Sequence, residues 1–247
     1  MHSSPTHAPP AVRYLERLLR ATGLFVADHH YAVLLLIGIS IVMQFILSGE
    51  KLNTWIQINL GWGFAITFCV FTCSKTSGGH FNPAVSFTVG AFLGSAAAYV
   101  LYLDQFTKYT GDLRVISGPN ATAGSFCSFP AEHVSNFTAF LDQFVGTGIL
   151  ALFVAVIIDR RNKIPDVLHP LFFGFVVMLI GTSFGMNLGY PINPARDLGP
   201  RIFAAFIYGG SVFSYHGYYF WIPVEEEEKK VVYVAAESEL LPLKNGA

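Results

Sequence analysis

The chain has 247 residues, of which 53% are hydrophobic and 13% charged, with a formal net charge of −1. That average is too apolar for an ordinary water-soluble domain and points to lipid as the solvent. The lack of a basic excess removes the electrostatic footprint of a nucleic-acid binder, so nucleic acid is not an expected partner.

Residues 1–30 contain Pro5, Pro9, Pro10 and scattered histidines. They lack the basic start, apolar run and small-residue cleavage site of a secretory signal, and are expected to form a cytoplasmic N-terminal tail. Apolar segments of spanning or near-spanning length follow at 31–48, 56–73, 139–158 and 169–183. A fifth, 89–103, covers only about 22 Å as a helix against a hydrocarbon core of roughly 30 Å. A sixth starts near Tyr218 and meets Glu225, Glu226, Glu227 and Glu228 after about two turns, because a run of glutamates does not cross lipid cheaply. Cys69, Cys73 and Cys127 have no paired metal-type spacing and read as packing residues. No cofactor or metal is expected.

Orientation follows from the basic residues, which stay on the cytoplasmic side. Arg13, Arg17 and Arg20 precede the first span, and Arg160, Arg161 and Lys163 follow the one ending at 158. The polar segment 104–138 then falls outside, where it carries two glycosylation acceptor patterns, Asn120-Ala-Thr122 and Asn136-Phe-Thr138.

An internal repeat gives the sharpest signal. Asn82-Pro83-Ala84 follows the second span, and Asn193-Pro194-Ala195, continued by Arg196 and Asp197, follows the 169–183 span. Each copy comes after the second secure span of its half, the plan of inverted repeats in which interrupted helices meet near the midplane. Asparagine is a favoured helix N-cap and proline suits the first turn, so each motif reads as the start of a short helix. The approach segments, 74–81 and 184–192, are too polar for lipid and are expected to line a wet pore. Two helix N-termini facing each other there repel cations, while the Asn82 and Asn193 amides donate hydrogen bonds to a passing oxygen.

These motifs, their flanks, the preceding spans and the glycosylated loop resemble the aquaporin family over most of 31–224, and Asp197 resembles the aquaglyceroporin branch. The resemblance implies an all-α membrane protein built as an inverted repeat of transmembrane helices with two pore-lining half-helices. It implies no enzyme, but a passive channel for glycerol, water and other small neutral solutes in the plasma membrane, assembled as a homotetramer or a mixed tetramer with full-length relatives. Carried over by position, the selectivity constriction is Trp62, Gly181, Tyr190 and Arg196. Gly181 would leave room for a polyol, Trp62 and Tyr190 would face its carbons, and Arg196 would donate to its hydroxyls and discourage cations. Blander roles exist for three of them: Trp62 as an interfacial anchor, Gly181 as a packing glycine and Tyr190 as a loop aromatic. An arginine within a membrane stretch is costly without a purpose, which favours function for Arg196. Asp197 is expected to hold local backbone or the arginine, and His80 to brace backbone in the pore wall.

The chain departs from that pattern in three places. Residues after Ala84 lead directly into 89–103 without the usual link, so helix three is short and the motif helix is expected to fuse with it. Helix six is short in the same way, which would leave the charged tail, 225–247, outside. The first span lacks the family's usual acidic residue, for which Asp142 is the nearest counterpart in the second half. A shortened scaffold gives a second expected function, a non-conducting variant that assembles with full-length aquaglyceroporins and modulates them.

Overall fold

The computed structural model describes residues 10–77 and 88–222, with side chains over 29–73 and 89–222. The described residues are helical or irregular, without strands. The helices are α1 (Pro10–Leu47), α2 (Trp55–Ser77), α3 (Thr88–Leu101), α4 (Leu103–Thr110), α5 (Asn136–Ile158), α6 (His169–Leu188), α7 (Pro194–Tyr208) and α8 (Ser211–Tyr218). Four of them carry stretches long and apolar enough to cross a membrane: His29–Leu47, Trp55–Cys73, Asn136–Ile158 and Asp166–Leu188.

Local chemistry sets the ends of these helices. α5 begins where the Ser135 side chain accepts a hydrogen bond from the Thr138 N–H, which satisfies one of the first turn's unpaired donors. It ends at Asp159, whose carboxylate accepts from the Arg161 backbone and guanidinium; that contact holds the exposed carboxyl below its usual range. α6 takes Pro170 in its first turn and stops at Gly189, which adopts the left-handed conformation at φ +79°.

α1 packs on α2 and α3, α5 packs on α6, and the two halves join through α2 with α6 and α3 with α7. The α2–α6 crossing is unusually close. A Cβ built on Gly63 would lie 2.8 Å from the Gly174 carbonyl oxygen, and one on Gly174 would meet both the Gly63 carbonyl and the Thr67 hydroxyl. Small residues at a crossing let membrane helices approach without side chains between them. The outward faces are greasy instead: Phe64, Phe68, Phe144, Leu152, Phe175 and Leu179 are exposed, which suits hydrocarbon rather than water.

The loop between α4 and α5 is not a loose excursion. Phe126 is fully buried and its ring contacts Tyr99, Phe106, Phe203 and Tyr208 at centroid distances of 5.6–6.2 Å. Thr122 and Tyr208 share a buried hydroxyl hydrogen bond of 2.9 Å. The loop is thereby fixed against the helix that follows the second Asn-Pro-Ala motif.

The structure differs from the sequence expectations in several places. α1 runs unbroken from Pro10, so residues 10–30 are helical and lead into the apolar stretch His29–Leu47 on the same helix. α2 reaches Ser77 and α6 reaches Leu188, so the helical parts of the approach segments exceed expectation. Polarity had suggested breaks at 74 and 184, whereas the break in the second half waits for Gly189. α3 has 14 residues, about 21 Å of helix; its expected fusion with the first motif falls on 78–87, outside the described residues. α8 is interrupted at Tyr215, His216 and Gly217 and is followed by a single tight turn, Tyr219–Trp221. The tail 225–247 also lies outside the described residues.

Candidate functional site

The second motif starts α7. Asn193 is extended, with φ −154° and ψ 109°, and Pro194 is the first helical residue. The Asn193 Oδ1 accepts the Arg196 N–H at 3.1 Å and also the Tyr31 hydroxyl at 3.2 Å. Holding that oxygen from two sides prevents the amide from flipping without breaking both bonds, so its Nδ2 donor keeps one orientation. Tyr31 is fully buried on α1. Nothing in the sequence pattern distinguished it from other apolar-face residues.

The backbone leading into the motif is strained at Tyr190 and Ile192. Gly189, Tyr190 and Ile192 all have positive φ, the last two at 45° and 36°, a region that non-glycine residues rarely adopt and that surrounding structure must enforce. Two contacts enforce it here. The Ile192 N–H donates to Gln143 Oε1 at 2.8 Å, and the Tyr190 ring lies edge-on to Trp55 at 6.0 Å. Gln143 on α5 therefore braces this backbone. Asp142 instead accepts from Asn187 at the end of α6, at 2.7 Å. Gln143 faces inward and is 1% exposed. Gln143→Leu removes the acceptor that Gln143 offers the buried Ile192 amide and should destabilise the protein by about 1–3 kcal/mol. Gln143→Glu, which keeps an acceptor, should lose less when both are melted in detergent.

The four positions carried over as a constriction come together from four elements. The Arg196 guanidinium lies 5.2 Å from the Trp62 ring centroid, a cation–π distance. Tyr190 packs on Gly181, where a Cβ would lie 2.6 Å from the tyrosine Cζ and would also overlap Asn59 Oδ1. The space over Gly181 is thus taken by Tyr190 and Asn59. The missing side chain admits the tyrosine ring to this level, whereas the sequence reading expected the space to be left to a solute.

Asp197 is buried and bound, but to a different arginine than the neighbouring Arg196. Its carboxylate accepts from the Arg201 guanidinium at 2.6 Å and from the Ser128 hydroxyl at 2.8 Å. Arg201 also donates to the carbonyls of Ser128 and Val212, at 2.6 and 2.7 Å, and lies over the Phe129 ring at 4.9 Å. Both side chains of the pair are 1% exposed. The i, i+4 spacing of Asp197 and Arg201 was readable as a helical ion pair, and this geometry clamps α7 to the loop 111–135. The buried Cys127 thiol beside this cluster is pushed up to about 12 by desolvation, which leaves it a packing group rather than a nucleophile. Asn82, Pro83, Ala84 and His80 lie outside the described residues.

A family model for the major intrinsic proteins matches residues 25–224. Human aquaporin-10 is 37% identical over 214 residues, covering 78% of this chain and 71% of its own. Aquaglyceroporin-3 of Trypanosoma brucei brucei is 37% identical over 212 residues, covering 78% and 69%, and human aquaporin-9 is 36% identical over 214 residues, covering 78% and 72%. The X-ray structure of the aquaglyceroporin from Plasmodium falciparum superposes with a TM-score of 0.72 at 25% identity, over 83% of this chain and 90% of that one. The start of α7 at an Asn-Pro-Ala motif, the arginine lying over Trp62 and the two halves joined through α2 and α6 accord with these matches. The chain is an integral membrane member of the major intrinsic protein family, in its aquaglyceroporin branch, a family of channels rather than enzymes.

Proposed function

We propose that this chain is a passive channel for glycerol, water and other small neutral solutes in the plasma membrane. The observation that carries the reading is the meeting of Trp62, Gly181, Tyr190 and Arg196, with the arginine held over one aromatic and the glycine covered by the other. In this reading the aromatic rings face the carbon backbone of a solute while Arg196 donates to its hydroxyls. The fixed guanidinium and the N-terminus of α7 oppose the entry of cations, protons included. The Asn193 amide, held by Tyr31 and by the helix start, presents a donor to the passing oxygen, and Asn82 would do so from the first motif. Asp197 acts through structure, by fixing α7 against the loop. The family resemblance supports a tetrameric assembly, of this chain alone or mixed with full-length relatives.

One feature favours a second reading. The sequence runs from Ala84 directly into the apolar segment 89–103, without the link and the opening part of helix three that the family pattern carries. A chain with that span incomplete would serve as a non-conducting subunit that alters the folding or trafficking of full-length aquaglyceroporins. The two readings separate in cells that lack endogenous glycerol facilitation. Glycerol uptake by cells expressing this chain alone, at verified surface abundance, supports the channel. Uptake that changes only when a full-length relative is co-expressed supports the modulating subunit.

The loop gives a third expectation. Asn120 sits on an exposed turn closed by the Ala121 N–H to the Gly118 carbonyl. Asn136 begins α5, and its amide donates to the His216 carbonyl at 3.1 Å while its oxygen pairs with His216 Nδ1 at 2.7 Å. We assign the glycan to Asn120. Asn120→Gln should abolish the mobility shift on glycosidase treatment, whereas a shift that persists in this variant would place a glycan on Asn136.

A further inference from the structure

Three polar atoms around the constriction are buried without a hydrogen-bond partner among the described residues: Asn59 Oδ1, Tyr190 Oη and Arg196 Nη1. Buried polar groups are nearly always paired, so a cluster of orphans needs a reason. Two of them, Asn59 Oδ1 and the Tyr190 hydroxyl, flank one spot beside Gly181. A Cβ on Gly181 would overlap both Asn59 Oδ1 and the carbon that bears the Tyr190 hydroxyl. Arg196 lies over Trp62, three residues and so about one turn along α2 from Asn59.

The orientation of Asn59 is settled by its own helix. Its Nδ2 donates to the Trp55 carbonyl at 2.9 Å, a partner that only the nitrogen can satisfy, and this turns Oδ1 toward α6 and Tyr190. The side chain is 1% exposed. The cluster therefore offers an acceptor from Asn59, a donor from Arg196 and a hydroxyl from Tyr190 that serves as either. Arginine is only a donor, so of these three side chains only Asn59 and Tyr190 can accept a hydrogen bond from a solute.

We propose that Asn59 is a specificity-determining residue, with its Oδ1 and the Tyr190 hydroxyl forming a subsite that accepts hydrogen bonds from a neutral solute bearing hydroxyls on neighbouring carbons. One hydroxyl of such a polyol donates to Asn59 while the next accepts from Arg196. The Trp62 ring and the Tyr190 ring cover the carbons between them. A solute lacking donors, or too short to reach both sides at once, gains less from the pair.

The inference rests on the channel reading, and the same experiment separates their failures. Glycerol and water permeability are measured for wild type, Asn59→Leu and Tyr190→Phe in vesicles, normalised to inserted protein. Asn59→Leu keeps the approximate volume and removes the acceptor. It should lower glycerol permeability about tenfold, equivalent to roughly 1.4 kcal/mol in barrier, with water changing less than about twofold. Tyr190→Phe removes only a hydroxyl, is the safer variant to fold, and should lower the glycerol-to-water ratio about threefold on the same scale. A ratio unchanged or raised in both variants overturns the assignment of Asn59 and leaves the channel standing. No glycerol flux through properly inserted wild type overturns the channel reading and this inference with it.

Discussion

Arg201→Met is expected to cost about 3–5 kcal/mol, the range for removing one partner of a buried ion pair and leaving the other charged and unpaired. Asp197 would lose all three of its hydrogen bonds from the guanidinium, at 2.6, 2.9 and 3.0 Å, and keep only Ser128. The carbonyls of Ser128 and Val212 would lose their donor at the same time. Replacing both members, as Asp197→Leu with Arg201→Met, should cost less than the single arginine change, because no uncompensated charge remains. Thermal unfolding in detergent, followed for wild type and the three variants, measures this ordering. A single arginine variant within about 1 kcal/mol of wild type, the range of exposed ion pairs, would show that the pair is wetter than the geometry indicates. The consequence reaches the candidate site because Arg196 sits on the same helix, whose position is held by this clamp.

Gly181→His should reduce glycerol flux by at least about tenfold, a barrier increase of roughly 1.4 kcal/mol, and water flux by less. The structure gives a sharper reason than the sequence did. Even a methyl group at this position meets Asn59 Oδ1 and comes within 2.6 Å of Tyr190 Cζ, so an imidazole must push the tyrosine toward Arg196 and narrow the site. Overpacking of this kind typically costs about 1–3 kcal/mol in stability, which makes normalisation to inserted protein necessary. Gly181→Ala should show the same direction with a smaller effect. Equal loss of glycerol and water permeability in both variants would argue that position 181 packs helices and does not select solutes.

Much of this architecture was legible in the sequence because hydropathy and the repeated Asn-Pro-Ala motif are strong, local signals. The four long spans followed from apolar length, and the start of α7 at Pro194 followed from asparagine capping before proline. The residues that hold the site were less legible because their partners are remote in sequence. Tyr31 reaches Asn193 across 162 positions, and Gln143 reaches Ile192 across 49. No periodicity within a single helix encodes such a pairing. Asp142 and Gln143 are neighbours, and only the direction in which α5 faces decides which one braces the strained backbone. Arg201 was visible four residues after Asp197, yet the nearer Arg196 drew the pairing, since the tertiary contacts that recruit Arg201 come from the loop carbonyl of Ser128 and from Val212.

The role of Gly181 shows a different limit. A glycine in a span reads equally as free space and as room for a neighbour, and the sequence carries no information on which neighbour arrives. In this protein the Tyr190 ring arrives, brought there by positive φ on both sides of Pro191. Tyr190 and Ile192 adopt a conformation that their own preferences oppose, so a reading based on local propensity could not place the ring over the glycine.

Whether this chain by itself encloses a solute-selective pore is decided by purifying it, reconstituting it alone into vesicles and measuring glycerol permeability against potassium permeability. A channel gives glycerol flux well above that of empty vesicles, with potassium flux at the empty-vesicle level. Glycerol flux no greater than that of empty vesicles, from protein shown to be inserted, would contradict the channel reading.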